Sequence, residues 1–111
     1  MKRYYFSRYD YLGKQKYFSL EVKDMLGYDQ SDLVGKFAYE YFHPDDIKDI
    51  TRAHTEILSP LHITSAKYRI RHKNGNYVWV HSHSEMVDGE LISFTYELSK
   101  IEILMYILFG Y

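Results

Sequence analysis

The 111-residue chain contains no cysteine, which excludes disulfides, thiolate metal sites and cysteine nucleophiles. That absence is compatible with the reducing cytosol, and a cytoplasmic location is the expectation. An excess of either charge is also missing: 14 Lys and Arg stand against 15 Asp and Glu, for a net charge of −1. The electrostatic footprint of a nucleic-acid binder is therefore absent, and no nucleic-acid partner is expected. Met1 to Ser7 contain no apolar h-region, so a secretory signal peptide is not expected. There is no internal repeat and no low-complexity stretch. The apolar tail after Ser99 is well short of the ~20 residues that span a bilayer.

What is present suits one domain with one core. Hydrophobic residues make up 46% of the chain, enough to keep it out of the disordered class. Thirteen tyrosines and six phenylalanines predict a sheet-rich core of large rings, many carrying a hydroxyl that needs a partner.

Lys2 to Ser7 is strand-like, Leu12-Gly13-Lys14 supplies a break, and Gln15 to Leu20 resumes strand character, so the pair reads as a hairpin. The period then changes. Val22, Met25 and Leu26 sit at i, i+3, i+4, and Gly27 follows where a left-handed cap is favoured. Asp29 is placed to cap a further turn that ends at Gly35.

The segment from His43 to Leu58 predicts the longest internal helix. Pro44 suits the first helical position, and Asp45 and Asp46 put negative charge at the positive end of the dipole. Ile47, Ile50, His54, Ile57 and Leu58 fall on one face, and Pro60 stands just past the end.

Three strands follow. Ile63 to His72 alternates; Lys73-Asn74-Gly75-Asn76 is a hairpin turn; Tyr77 to Val87 returns; and Asp88-Gly89 turns the chain into Glu90 to Leu98. The order predicts an α+β fold: a five-stranded antiparallel sheet with short helices and one longer helix covering one face.

Leu26-Gly27-Tyr28 with Asp32-Leu33-Val34-Gly35-Lys36, then Phe42-His43-Pro44-Asp45-Asp46, then Tyr68-Arg69-Ile70-Arg71, Lys73-Asn74-Gly75 and Tyr77-Val78-Trp79-Val80 occur in an order and spacing that resembles the PAS family, in its H-P-D-D-containing form. The resemblance runs over roughly residues 4 to 99. One departure stands out: Glu97-Leu98-Ser99 occupies the place of the family's closing Asp-x-Thr. Flavin photoadduct chemistry, which needs a reactive cysteine, is excluded.

The resemblance implies a sensory or regulatory module of a signal-transduction protein, with residues 1–99 as the sensory domain and 100–111 as a C-terminal output helix. It further implies a cavity between the sheet and its helices. Strand alternation carried from the Lys73–Asn76 turn puts Tyr68, Ile70, Val78, Val80, Ser82, Phe94 and Tyr96 on that face. From these the expected ligand-binding set is Tyr68, Ile70, Val80, Ser82, Phe94 and Tyr96, with the alternative that the large rings simply fill the space. Trp79, His81, His83, Thr95 and Glu97 are expected on the opposite face. Trp79, Glu97, Ser99, Leu104 and Leu108 are the expected interface or output residues.

His54 is the one position at which a haem iron ligand could be sought, against the commoner role of a packed helix histidine. His81 and His83 share a strand face and could chelate a metal only with a third ligand such as Glu85 or Glu97; they could also titrate near neutral pH. His43, Asp45 and Asp46 are explained by helix entrance rather than acid–base chemistry. No nucleophile is placed beside a base and no phosphate-cradling loop is present, so an enzyme is not expected.

Ser99 and Glu102 form a capping box. Ile101, Leu104, Met105 and Leu108 make one stripe, while Ile103, Ile107 and Phe109 make the other side apolar too, so burial on the sheet near Trp79 or against a second chain is expected. The expected partners are a second copy of the chain, a small-molecule ligand, and a linked or separate effector such as a kinase or cyclase. The readings left open are a ligand-free interaction module and a haem-based gas or redox sensor. The abrupt Gly110-Tyr111 end leaves room for the chain being a fragment of a longer receptor.

Overall fold

The structure is a computed structural model, and it describes residues 2–58 and 62–111. The Pro60 stop falls outside the described residues. Strand β1 (Tyr4–Asp10) and the short β2 (Gln15–Phe18) form the N-terminal hairpin. Helix α1 (Val22–Leu26) and helix α2 (Gln30–Leu33) follow, then 3-10 turns at Ala38–Tyr41 and Pro44–Asp46, and helix α3 (Ile47–Ile57). Strands β3 (Ile63–Arg71), β4 (Tyr77–Val87) and β5 (Glu90–Glu97) complete the sheet, and helix α4 (Lys100–Phe109) ends the chain. Every pairing is antiparallel, in the order β2-β1-β5-β4-β3.

The long helix is shorter than its sequence pattern because Pro44-Asp45-Asp46 winds as a tighter turn before α3 begins. His43 caps that turn as expected, its Nδ1 accepting from the Asp45 N–H at 3.1 Å. Ile50, Ala53 and Ile57 are the buried residues of α3, while Leu58, expected on the apolar face, is half exposed.

Helices α1 to α3 cover one face, and the core lies between them and the sheet. Tyr5, Met25, Leu26, Leu33, Ile57 and Val80 are almost completely buried there. The register explains which strand residues join them. Tyr68 pairs with Val80 across β3 and β4, and Ser82 pairs with Thr95 across β4 and β5. Directly opposed residues share a face, so Tyr5, Tyr68, Val80, Ser82, Ser93 and Thr95 point inward.

That register corrects the expected faces on β5. The Asp88-Gly89 turn pairs Val87 with Glu90, so even-numbered residues of β4 share a face with odd-numbered residues of β5. Phe94 and Tyr96 therefore lie on the outer face, while Thr95, expected outside, is fully buried. Glu97 also turns to the helix side, where it pairs with Arg3, whose Nη1 donates to the Asp24 carbonyl at 2.9 Å.

Gly27 ends α1 with φ 81°, and a Cβ there would stand 2.7 Å from His72 Cε1. Gly35 has φ 91° with open space around it. Gly27→Ala combines a left-handed backbone cost with a clash and is expected to lower stability by about 2 kcal/mol or more, against about 1 kcal/mol for Gly35→Ala. Urea midpoints of the two variants test the difference, and equal losses would remove the close approach of His72 as a cause.

Candidate functional site

Between α3 and the sheet lies a cavity of about 100 Å³, with Ile50, Ala53, Ile57, Ala66 and Leu91 among its apolar walls. Hydroxyls supply its polarity. Thr64, Tyr68, Ser82, Ser84 and Ser93 all line it. Tyr68 OH and Ser82 Oγ stand 2.6 Å apart, Ser82 Oγ and Thr95 Oγ1 2.6 Å, and Ser84 Oγ and Ser93 Oγ 2.6 Å. These contacts satisfy most of the buried hydroxyls among themselves, as an interior requires. Burial raises the Tyr68 phenol above its ordinary pKa, so it stays neutral and able to donate.

Among the described residues no Asp, Glu, Lys or Arg lines the cavity. His54 is in its wall, and it is already engaged: Nδ1 lies 2.9 Å from Tyr39 OH and Nε2 2.7 Å from the Tyr11 carbonyl. With Nε2–H donating to that carbonyl, Nδ1 accepts from Tyr39. One imidazole thus ties α3 to the turn at Ala38–Tyr41 and to the β1–β2 hairpin. The geometry does not suit haem, since both ring nitrogens are used and the space is far smaller than usual cofactor sites, which run to several hundred Å³.

Of the six residues expected to bind a ligand, Tyr68 and Ser82 line the cavity. Ile70 and Val80 face the same layer but are locked into the neighbouring core. Phe94 and Tyr96 are on the far side of the sheet. Lining residues outside the expected set include Ser84, Leu91 and Ser93 on the strands and Tyr39, Phe42 and Ala53 on the helical side. Leu91 and Ser93 were recoverable from the two-residue Asp88-Gly89 turn, which sets the phase of β5, and Ser84 from the β4 alternation that places Ser82.

The outer sheet face is a second candidate. Phe94 is 5.1 Å from Phe6 and 5.6 Å from Tyr4 between ring centroids, and Tyr4 and Phe6 are 40% and 47% exposed. His81 Nδ1 lies 2.7 Å from Tyr96 OH, and the His81 and His83 rings are 4.3 Å apart. Among the described residues no group of three or more His, Asp or Glu is arranged to hold a metal.

Helix α4 sits on this face beside Trp79, whose ring meets Tyr106 edge-on at 5.6 Å. Ser99 and Glu102 form the expected capping box, Ser99 Oγ accepting from the Glu102 N–H at 3.2 Å. Lys2 pairs with Glu102, and that contact with the Ser99 N–H holds the Glu102 carboxyl down at about 2. Within the single chain no residue of α4 is fully buried, so of the two expected coverings only a partial contact with the sheet beside Trp79 is seen. Ile103, Tyr106 and Glu102 are half-buried against the sheet, whereas Leu104 and Leu108 stand 56% and 66% exposed. One docked side leaves most of the apolar side chains of the helix exposed.

A family model described as PAS fold matches residues 15–95. The chain belongs to the PAS fold family. Hypoxia-inducible factor 1-alpha of Gallus gallus is 29% identical over 83 residues, covering 75% of this chain and 10% of that protein. The aryl hydrocarbon receptor nuclear translocator homolog of Drosophila melanogaster is 33% identical over 73 residues, covering 65% of this chain and 11% of that protein. The chain thus spans about a tenth of the length of these relatives. Among solved structures, a variant of Drosophila melanogaster Cycle PAS-B with bound glycerol superposes with a TM-score of 0.76 at 20% identity, over 86% of this chain and 99% of that one. Wild-type Cycle PAS-B with bound ethylene glycol gives 0.74 at 22% identity, over 82% and 94%. At these identities the superpositions show the shared fold.

The outer-face histidines carry a pH consequence. Burial first, then the nearby His83 and Lys67 charges, lower His81 to about 4. Its ordinary value is ~6.5, so between the two the unfolded chain binds the proton and the folded chain does not. Stability is therefore fully present above pH ~6.5 and falls as the pH drops toward 4. This replaces the expectation that His81 titrates near neutrality. His81→Asn is expected to flatten the difference in urea midpoint between pH 7 and pH 4.5, and an unchanged difference would assign the acid sensitivity elsewhere.

Proposed function

We propose that this chain is a regulatory PAS module, not an enzyme, acting in the cytoplasm by association with a second copy of itself through α4 and the outer sheet face. Residues 1–99 form the sensory unit and 100–111 the output helix, linked to or partnered by an effector such as a kinase or cyclase. The observation that carries the reading is α4: capped at Ser99 and closed by Gly110 in a left-handed conformation, it is a finished helix whose apolar side chains remain mostly in water. A stable association buries about 800 Å² on each partner. Leu104, Leu108 and Ile101 on α4, with Tyr4 and Phe6 on the strands, supply exposed apolar surface toward that size.

In solution the full chain is expected to be a dimer, and a version ending after Ser99 a folded monomer. Light scattering on both tests this directly. Leu104→Ser with Leu108→Ser should shift the full chain toward monomer, and a monomer at every concentration would end the assembly reading.

The cavity supports a ligand-responsive module over a ligand-free one. A water needs about 10–15 Å³ of such volume, so 100 Å³ accommodates a molecule of only a few heavy atoms. With hydroxyls on one wall, aliphatic groups on the other and no fixed charge, the matching ligand is a compact neutral alcohol or amide. Cycle PAS-B, with glycerol or ethylene glycol bound, has the same fold. Glycerol is expected to shift the Ser82 and Ser93 amide resonances in a saturable way while acetate leaves them in place. Equal responses to the two, or none, would favour the ligand-free interaction module.

A further inference from the structure

The cavity and α4 lie on opposite sides of the sheet, yet they are joined by an unbroken run of contacts around its edge. Asp46 ends the second 3-10 turn and is the N-cap residue of α3, the helix that roofs the cavity. Its Oδ2 accepts from the Arg69 backbone N–H at 2.7 Å and from Nε at 3.0 Å, and its Oδ1 accepts from Nη2 at 2.8 Å. β3 is an edge strand, and the His43 N–H donates to the Arg69 carbonyl at 3.1 Å. The turn before α3 is thereby laid along the strand edge at Arg69.

Arg69 itself reaches the outer face. Its guanidinium carbon lies 4.8 Å from the Trp79 ring centroid, and Trp79 holds Tyr106 of α4 edge-on at 5.6 Å. A guanidinium uses its in-plane N–H groups for a carboxylate and its flat face for an aromatic ring, so one side chain serves both contacts at once. Desolvation alone would raise the Asp46 carboxyl; the hydrogen bonds from the Arg69 side chain and backbone, and its charge, outweigh that and hold it below its ordinary value. The pair is charged and forked, with the Arg69 and Asp46 side chains only 25% and 12% exposed. A passage straight through the sheet would instead have to deform paired strands packed around the fully buried Val80 and Thr95.

We propose that Arg69 is a positioning residue that couples the packing of α3 over the cavity to the seating of α4 on the outer face, through Asp46, Trp79 and Tyr106. The proposal rests on the reading of α4 as the output element and needs no particular ligand, since the cavity can be filled by substitution.

Ala53 lines the cavity from α3, and Ala53→Leu places extra atoms in the void. Hydrogen exchange of the α4 amides in the full chain is the readout, with β5 amides as the measure of global stability. Ala53→Leu is expected to change α4 exchange by about threefold or more relative to β5. In an Arg69→Gln background the same substitution should leave α4 unaffected. Arg69→Lys keeps the charge but cannot hold the forked contact with Asp46 while stacking on Trp79, so it should uncouple as well, and it answers the question if the Gln variant folds poorly. A response to Ala53→Leu that persists in the Arg69 variants, or is missing from the unaltered chain, would overturn the proposal. Light scattering keeps the two readings apart: a monomer with the coupling intact removes only the assembly, and a dimer without it removes only the coupling.

Discussion

The Asp88–Gly89 turn joins β4 to β5 with two residues, both at positive φ, 50° and 80°. Gly89 takes that conformation freely, and Asp is among the few side-chain-bearing residues that tolerate it. A two-residue turn admits a single register, with Val87 opposite Glu90, and from there the pleat assigns every later residue to one face or the other. The serine and threonine hydroxyls of β5 then go under the helices, where they meet Ser82 and Ser84 of β4. Phe94 and Tyr96 are sent outside, where they meet Tyr4, Phe6 and the paired histidines. A shift of one residue would exchange these sets, leaving a core of crowded rings and an outer face of hydroxyls.

The two faces that result have opposite chemistry. The inner one combines small hydroxyls and aliphatic groups around a modest void, and it carries no fixed charge at the cavity. The outer one is aromatic, partly exposed and crossed by a helix that hides little of itself. Among the polar contacts that tie the helical layer to the rest of the fold are two made by α3 and its N-terminal turn. His54 bridges Tyr39 and the Tyr11 carbonyl at one side of the cavity, and Asp46 grips Arg69 at the β3 edge. Because Arg69 also stacks on Trp79, the second tie is shared with α4.

Much of this was legible in the residues. Periodicity and caps located α1 with its Gly27 terminus, the turn entered through His43-Pro44, the β3–β4 hairpin and the Ser99 capping box, since each depends on neighbours a few residues away. Tyr68 and Ser82 were placed correctly because the β3–β4 pairing preserves their phase. Phe94 and Tyr96 were misplaced because the alternation was carried from the Lys73–Asn76 turn past Asp88-Gly89 without the change of phase that the Val87–Glu90 pairing imposes. Ala53, Tyr39 and Phe42 could not be read as cavity residues, for they reach it only once α3 and the preceding turn are laid over the sheet.

By itself the sequence determined the element order, the family and the tendency of 100–109 to form a capped apolar helix, because these follow from local propensity, spacing and turn chemistry. Only the tertiary structure decided which hydroxyls share the cavity, that Glu97 turns back toward Arg3, and that α4 rests one side on Trp79 with its other sides bare. It also decided that Asp46 and Arg69, 23 residues apart in the chain, meet at the sheet edge and reach both layers. Contacts at such separations are set by strand register and by how the helical layer seats, and neither is encoded in any short stretch of chain.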